Sequence, residues 1–138
     1  MNLESLVIKR KETDVEVPGY DGLVLTIQHL SKSELQKLRK RCINNKFSRS
    51  SRQMTEEVDT DMFQRLYIEQ VLVGWKGLKY RYLAKMFPVD LSSVSEDDEL
   101  EYSKENAFVL MTNADDIDAF VSDTLEDIQN FVEKKAKK

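Results

Sequence analysis

Val71-Leu72-Val73-Gly74-Trp75-Lys76-Gly77-Leu78 is the stretch on which the reading of this chain turns. An apolar helical pattern runs into it and ends in it. It holds the only tryptophan and two of the four glycines within four residues. Glycine permits tight or left-handed turns, and an indole is the largest plug available to a core. After a long acidic connector, Tyr102-Ser103-Lys104-Glu105-Asn106-Ala107-Phe108 opens a second helical pattern. The stretch therefore reads as a shaped joint between two helical parts. Nothing in it has the residue types of a catalytic centre.

Upstream of the joint, Thr55 is expected to cap a helix, with Glu56, Glu57, Asp59 and Asp61 favouring its positive end. At helical spacing, Val58, Met62, Leu66 and Val73 form one apolar stripe, and Phe63, Tyr67 and Val71 a second. Ile68 and Trp75 continue around the axis. A helix that is apolar on more than one side is buried on more than one side. This is the expected central helix, covered by the rest of the chain or in part by a partner.

Further upstream, Leu30-Ser31-Lys32-Ser33-Glu34-Leu35 carries a capping box from Ser31 to Glu34, with Leu30 stapled onto Leu35. The helix it starts shows a narrow stripe of Leu35, Leu38 and Cys42 and is expected to end near Asn44-Asn45. Residues 46–54, rich in Ser and Arg, read as a loop. The N-terminal part reads as β. Val15 and Val17 lead into the turn Pro18-Gly19-Tyr20-Asp21-Gly22, and Leu23 to His29 form the returning strand. Alternation places Leu23, Leu25, Ile27 and His29 on one face. A lone hairpin is marginal in water, so this face needs the helices or another strand, for which Leu6-Val7-Ile8 is a candidate.

Downstream of the joint, Leu78 to Phe87 reads as a short helix bearing Leu78, Tyr82, Leu83 and Phe87 and halted by Pro88. Residues 89–101 read as an acidic loop. Ser103 then caps a helix with Ala107, Leu110 and Met111 on its apolar face, and Asn113 is expected to cap the last one. In that last helix Ile117, Phe120, Val121, Leu125, Ile128, Phe131 and Val132 fall within an arc of about 140°. Its end carries Lys134, Lys135, Lys137 and Lys138, which suit the negative pole of a helix. The fold class that follows is mainly α (α+β): an N-terminal β-hairpin region, residues 1–30, and a bundle of about four to five helices over 31–138, in a single domain.

With 138 residues, 33% of them charged and 41% hydrophobic, the chain suits one globular domain with its own core. A single cysteine forms no disulfide within the chain, and no apolar run has the length of a membrane span. A cytoplasmic protein is expected. Chemistry is scarce. His29 and Cys42 are the only residues of their types, with no zinc-ligand spacing, no phosphate cradle beyond a bare Gly-x-x-Gly, and no EF-hand pattern in Asp97-Asp98-Glu99. The expectation is a protein without enzymatic activity, catalytic residues, metal or cofactor.

Two features point toward binding. Residues 37–52 hold seven cations and no acid, and residues 90–101 hold six acids and no base, although the net charge is only −4. The basic block is a solvated face or a steering surface, with Arg49 and Arg52 as candidates; non-specific contact with nucleic acid stays open, but no reading motif is present. Trp75, Tyr80, Tyr82 and Phe87 form either part of the core or an aromatic patch for a partner.

The order of these parts resembles a family. A strand-bearing N-terminus, Leu30-Ser31-x-x-Glu34-Leu35, a basic helix, Gly74-Trp75-Lys76-Gly77-Leu78, a variable connector, Tyr102-Ser103-x-Glu105-Asn106-Ala107 and a final amphipathic helix look like the tail assembly chaperones of long-tailed bacteriophages and prophages. The resemblance covers most of the chain. In place of the compact Asp/Gly/Pro turn of many relatives, this chain has Lys79-Tyr80-Arg81-Tyr82 and some twenty further residues. The resemblance implies a non-enzymatic chaperone that binds the tape-measure protein and helps tail-tube subunits assemble, in the host cytoplasm. Self-association stays open. So do two other classes: a nucleic-acid-associated regulator using residues 37–52, and a structural tail or head-completion protein of the virion.

Overall fold

A computed structural model describes residues 2–7, 10–48 and 53–127. After a 3-10 turn at Leu3–Leu6, the strands β1 (Arg10–Glu16) and β2 (Val24–Leu30) form the expected hairpin. They pair in register from Arg10↔Leu30 to Glu16↔Val24. Then follow α1 (Lys32–Arg41), β3 (Ile43–Ser48), β4 (Gln53–Val58), α2 (Thr60–Val71), β5 (Leu72–Lys76), α3 (Tyr80–Met86), α4 (Lys104–Asn113) and α5 (Asp115–Glu126). Five α-helices and two antiparallel sheets among the described residues make the fold α+β, with more strand than the helical bundle expected from sequence.

The largest departure is the joint itself. The helix stops at Val71, and Leu72–Lys76 turns into the third strand of the sheet, ordered β1-β2-β5. Leu6 lies in the 3-10 turn and takes no part in that sheet. The physical reason is tertiary. Gly74 weakens a helix by roughly 1 kcal/mol, while Val73 and Trp75 favour a strand. The open edge of β2 also leaves backbone groups that require partners. Pairing is antiparallel, with Leu25 opposite Trp75 and Thr26 opposite Gly74. The register then slips between Thr26 and Ile27, leaving Val73 as the extra residue of a bulge on β5.

A second correction concerns residues 43–58. Of the segment 46–54, expected as a loop, residues 46–48 and 53–54 lie in a β-ribbon, with β3 and β4 paired from Ile43↔Val58 to Ser48↔Gln53, and 49–52 lie outside the described residues. α1 ends earlier than expected, at Arg41, and Asp59 N–H donates to Cys42 O at 2.7 Å, closing the ribbon's base. Two asparagines and two glutamates, all depleted in strands, hid the pattern. Thr55 and Val58 are therefore ribbon residues. α2 is capped instead by Asp59, whose Oδ1 accepts from Met62 N at 3.0 Å.

The remaining ends follow the expected chemistry, with one exception. Ser31 accepts from Glu34 N at 3.2 Å and Ser103 from Asn106 N at 3.0 Å. Asn113 does not cap α5; it is the last residue of α4, and its Nδ2 donates back to Val109 O. α5 has Ala114 at its N-cap with no side-chain bond, and Asp115, Asp116 and Asp118 stabilise its positive end through charge. Leu23, Leu25 and Ile27 of the hairpin, Ile68, Val71 and Leu72 around the joint, and Leu110, Ile117 and Val121 from the last helices share one core. The expected apolar residues Ile128, Phe131 and Val132 lie outside the described residues.

Candidate partner-binding site

β5 brings the aromatic candidates together at the joint. Trp75 is half-buried, and its Nε1–H donates to Leu100 O at 2.9 Å. Its ring meets Tyr102 edge-on at 4.9 Å, and the Tyr102 hydroxyl donates to Leu72 O at 2.6 Å. Trp75 thus ties the strand to the end of the acidic connector. Tyr82 is 8% exposed, packs edge-on to Tyr20 at 5.4 Å and donates its hydroxyl to Asp21 O. Tyr80 and Phe87 are half-buried against the same core. Arg49 and Arg52 lie outside the described residues.

The acidic connector, although exposed over residues 92–99, is anchored at its far end. α3 has no side-chain cap, and the connector replaces one: Tyr80 N donates to Asp98 O at 2.9 Å and Arg81 N to Glu96 O at 3.1 Å. Glu99 Oε1 accepts from Gly77 N at 3.1 Å, Leu100 N donates to Leu78 O, and Arg81 pairs with Asp97. Asp97 and Glu99 thus add side-chain bonds to a backbone clamp between the connector and the segment that follows β5. Among the described residues no group of three or more His, Cys, Asp or Glu side chains is placed to hold a metal ion. Cys42 is buried and free.

α2 explains why its sequence looked apolar on several sides. Ile68 and Val71 are buried, whereas Met62 is 42% exposed, and so is Val109, at 49%, on the neighbouring α4. Between these extremes Phe63 stacks on Tyr67 at 5.9 Å, and Arg65 lies over the Phe108 ring at 4.1 Å.

The site that sequence reasoning missed is a groove of about 280 Å³ where the end of β2 meets α1, α2 and α5. Leu30, Leu35, Val71 and Leu125 give it an apolar lining, and His29, Tyr67, Ser122 and Glu126 add polar atoms. Burial, with the Asp118 charge adding to it, pushes the Tyr67 phenol above its usual range. The Leu30–Leu35 staple and the apolar arc through Leu125 were both visible in the sequence. Only the tertiary fold brings them to opposite sides of one hollow.

The model of the YdaY prophage protein family matches residues 30–138. The chain belongs to that family. The match begins at Leu30 and takes in the joint, all three helices that line the groove and the acidic connector, while β1 and most of β2 precede it. No curated protein and no solved structure matches the chain. Its origin is thus phage or prophage. No helix among the described residues is long and apolar enough to cross a membrane.

Proposed function

We propose that this prophage protein is a non-enzymatic tail assembly chaperone that binds the tape-measure protein and assists tail-tube subunits in assembling around it. The observation that carries the reading is the partly uncovered apolar surface: the groove over Leu30 and Leu125, and the exposed Met62 and Val109 on adjoining helices. Such surfaces suit reversible contact with an extended helical client. The family's prophage origin and the ordered resemblance of the joint and the Ser103 cap support the same reading. The aromatic candidates Trp75, Tyr80, Tyr82 and Phe87 shape the fold around the joint, so client affinity is assigned to the groove and the α2–α4 face.

The test is co-expression with the tape-measure protein of the same prophage. It should move from the insoluble to the soluble fraction and co-elute with this protein on gel filtration. A tape-measure protein equally insoluble with and without its partner, and no complex, overturns the reading.

A further inference from the structure

The groove is electrostatically one-sided along α5. That helix, Asp115–Glu126, carries five acids and no base. Asp118, Ser122 and Glu126 recur every fourth residue and so stand in one row along it. Ser122 and Glu126 line the groove, and Asp118 acts on Tyr67 at its rim. Neither Asp118 nor Glu126 has an ion-pair partner among the described residues. The last turn of α5 also lacks a basic residue, so the negative pole of the helix adds to the Glu126 charge.

The groove is small, and Leu30, Leu35, Val71 and Leu125 supply its apolar part. Its volume of about 280 Å³ falls at the lower limit of small-molecule sites, roughly 300–1,000 Å³, and suits one or two large side chains. We propose that this groove receives an amphipathic helical segment of a partner, placing an apolar side chain over Leu30, Val71 and Leu125 and a lysine or arginine on the Asp118–Ser122–Glu126 row. The proposal rests on the chaperone reading and specifies it: the client segment is basic beside its apolar stripe. Apolar contact supplies affinity, and the carboxylate row selects the sign of the flanking charge.

The experiment uses the full chain and two synthetic helical peptides. Both carry leucines at i, i+3 and i+7; one has lysines and the other glutamates beside them. Fluorescence anisotropy at low salt should show the lysine peptide binding about tenfold or more tightly than the glutamate peptide. Asp118→Asn with Glu126→Gln should remove that preference, and the melting curve should shift little, because the charge lost at the positive start of α5 is offset by the one removed from its negative end. Ser122 is exposed, so Ser122→Trp should fill the groove without disturbing the core and abolish binding.

Equal binding of the two peptides, a preference that survives the double substitution, or undiminished binding by Ser122→Trp overturns the proposal. So does a dimer that Ser122→Trp converts to monomer with no peptide bound, which assigns the groove to a second copy. Binding that emerges only after Lys134, Lys135, Lys137 and Lys138 are replaced by serine assigns it to the chain's own terminus and also overturns it. If neither peptide binds but the tape-measure protein stays soluble, the groove is wrong and the chaperone reading stands. If the peptides behave as expected and the tape-measure protein stays insoluble, the groove stands and the chaperone reading falls.

Discussion

Gly77 sits at φ +76°, and a Cβ built there runs into the carbonyl of Gly22 in the hairpin turn. Its neighbour Gly74 has no such constraint: a Cβ there meets only the Thr26 side chain at 3.7 Å, an ordinary contact. Gly77→Ala should lose about 1–2 kcal/mol from the left-handed backbone alone, with the clash added to it. Gly74→Ala should leave stability within about 1 kcal/mol of the parent. Urea unfolding of both variants checks the contrast, and equal losses would contradict the described joint. The same scale separates two jobs of Trp75. Trp75→Phe keeps a ring beside Tyr102 but leaves Leu100 O without its donor, a loss of about 1 kcal/mol. Trp75→Ala removes the ring contact as well and should cost more, though less than the roughly 3–5 kcal/mol of a fully buried large aromatic, because the indole is half-exposed.

At the scale of elements, legibility followed how local the deciding interaction is. The starts of α1 and α4 are set by Ser31 and Ser103 within three residues, and both were readable. The hairpin was readable because Gly19 and Gly22, both at positive φ, mark its turn. β5 was not, since an apolar run after a helix becomes a strand only when β2 offers an edge to pair with. The β3–β4 ribbon was not either, because its strands pair mainly with each other and carry polar residues that give no alternation. The groove required α1, α5 and β2 in space, and no single segment encodes it. One consequence is sharp. Asp59→Ala should cost about 1 kcal/mol by removing the α2 cap, while Thr55→Ala, in β4, should cost less. Thermal melts of the two variants decide between the structural start of α2 and the one expected from sequence.

At the scale of the whole molecule, tyrosine hydroxyls fasten distant segments to one another. Tyr20 in the hairpin turn donates to Asp116 Oδ2 of α5 at 2.7 Å, Tyr82 of α3 donates to Asp21 O, and Tyr102 donates to Leu72 O. The Tyr20 and Tyr102 bonds need the phenol proton, so the fold should be alkali-sensitive. Burial, the hydrogen bond to Asp116 and the charge of that carboxylate push Tyr20 from 10.0 up to about 12. Tyr102 is raised by burial and by the Glu69 charge, and Tyr67 by burial and Asp118. A raised folded pKa means that the native state holds a proton the unfolded chain releases. The stability this contributes is complete below about pH 10 and is lost as pH rises from there through about 12. Denaturant midpoints should therefore fall between pH 10 and 12. Tyr20→Phe should lower the midpoint at pH 8, where its bond to Asp116 is missed, and should make the decline above pH 10 shallower, because position 20 then has no proton to lose while Tyr67 and Tyr102 still do. A parent curve flat to pH 12, or a Tyr20→Phe curve as steep as the parent's, would remove Tyr20 as the fastener between hairpin and last helix.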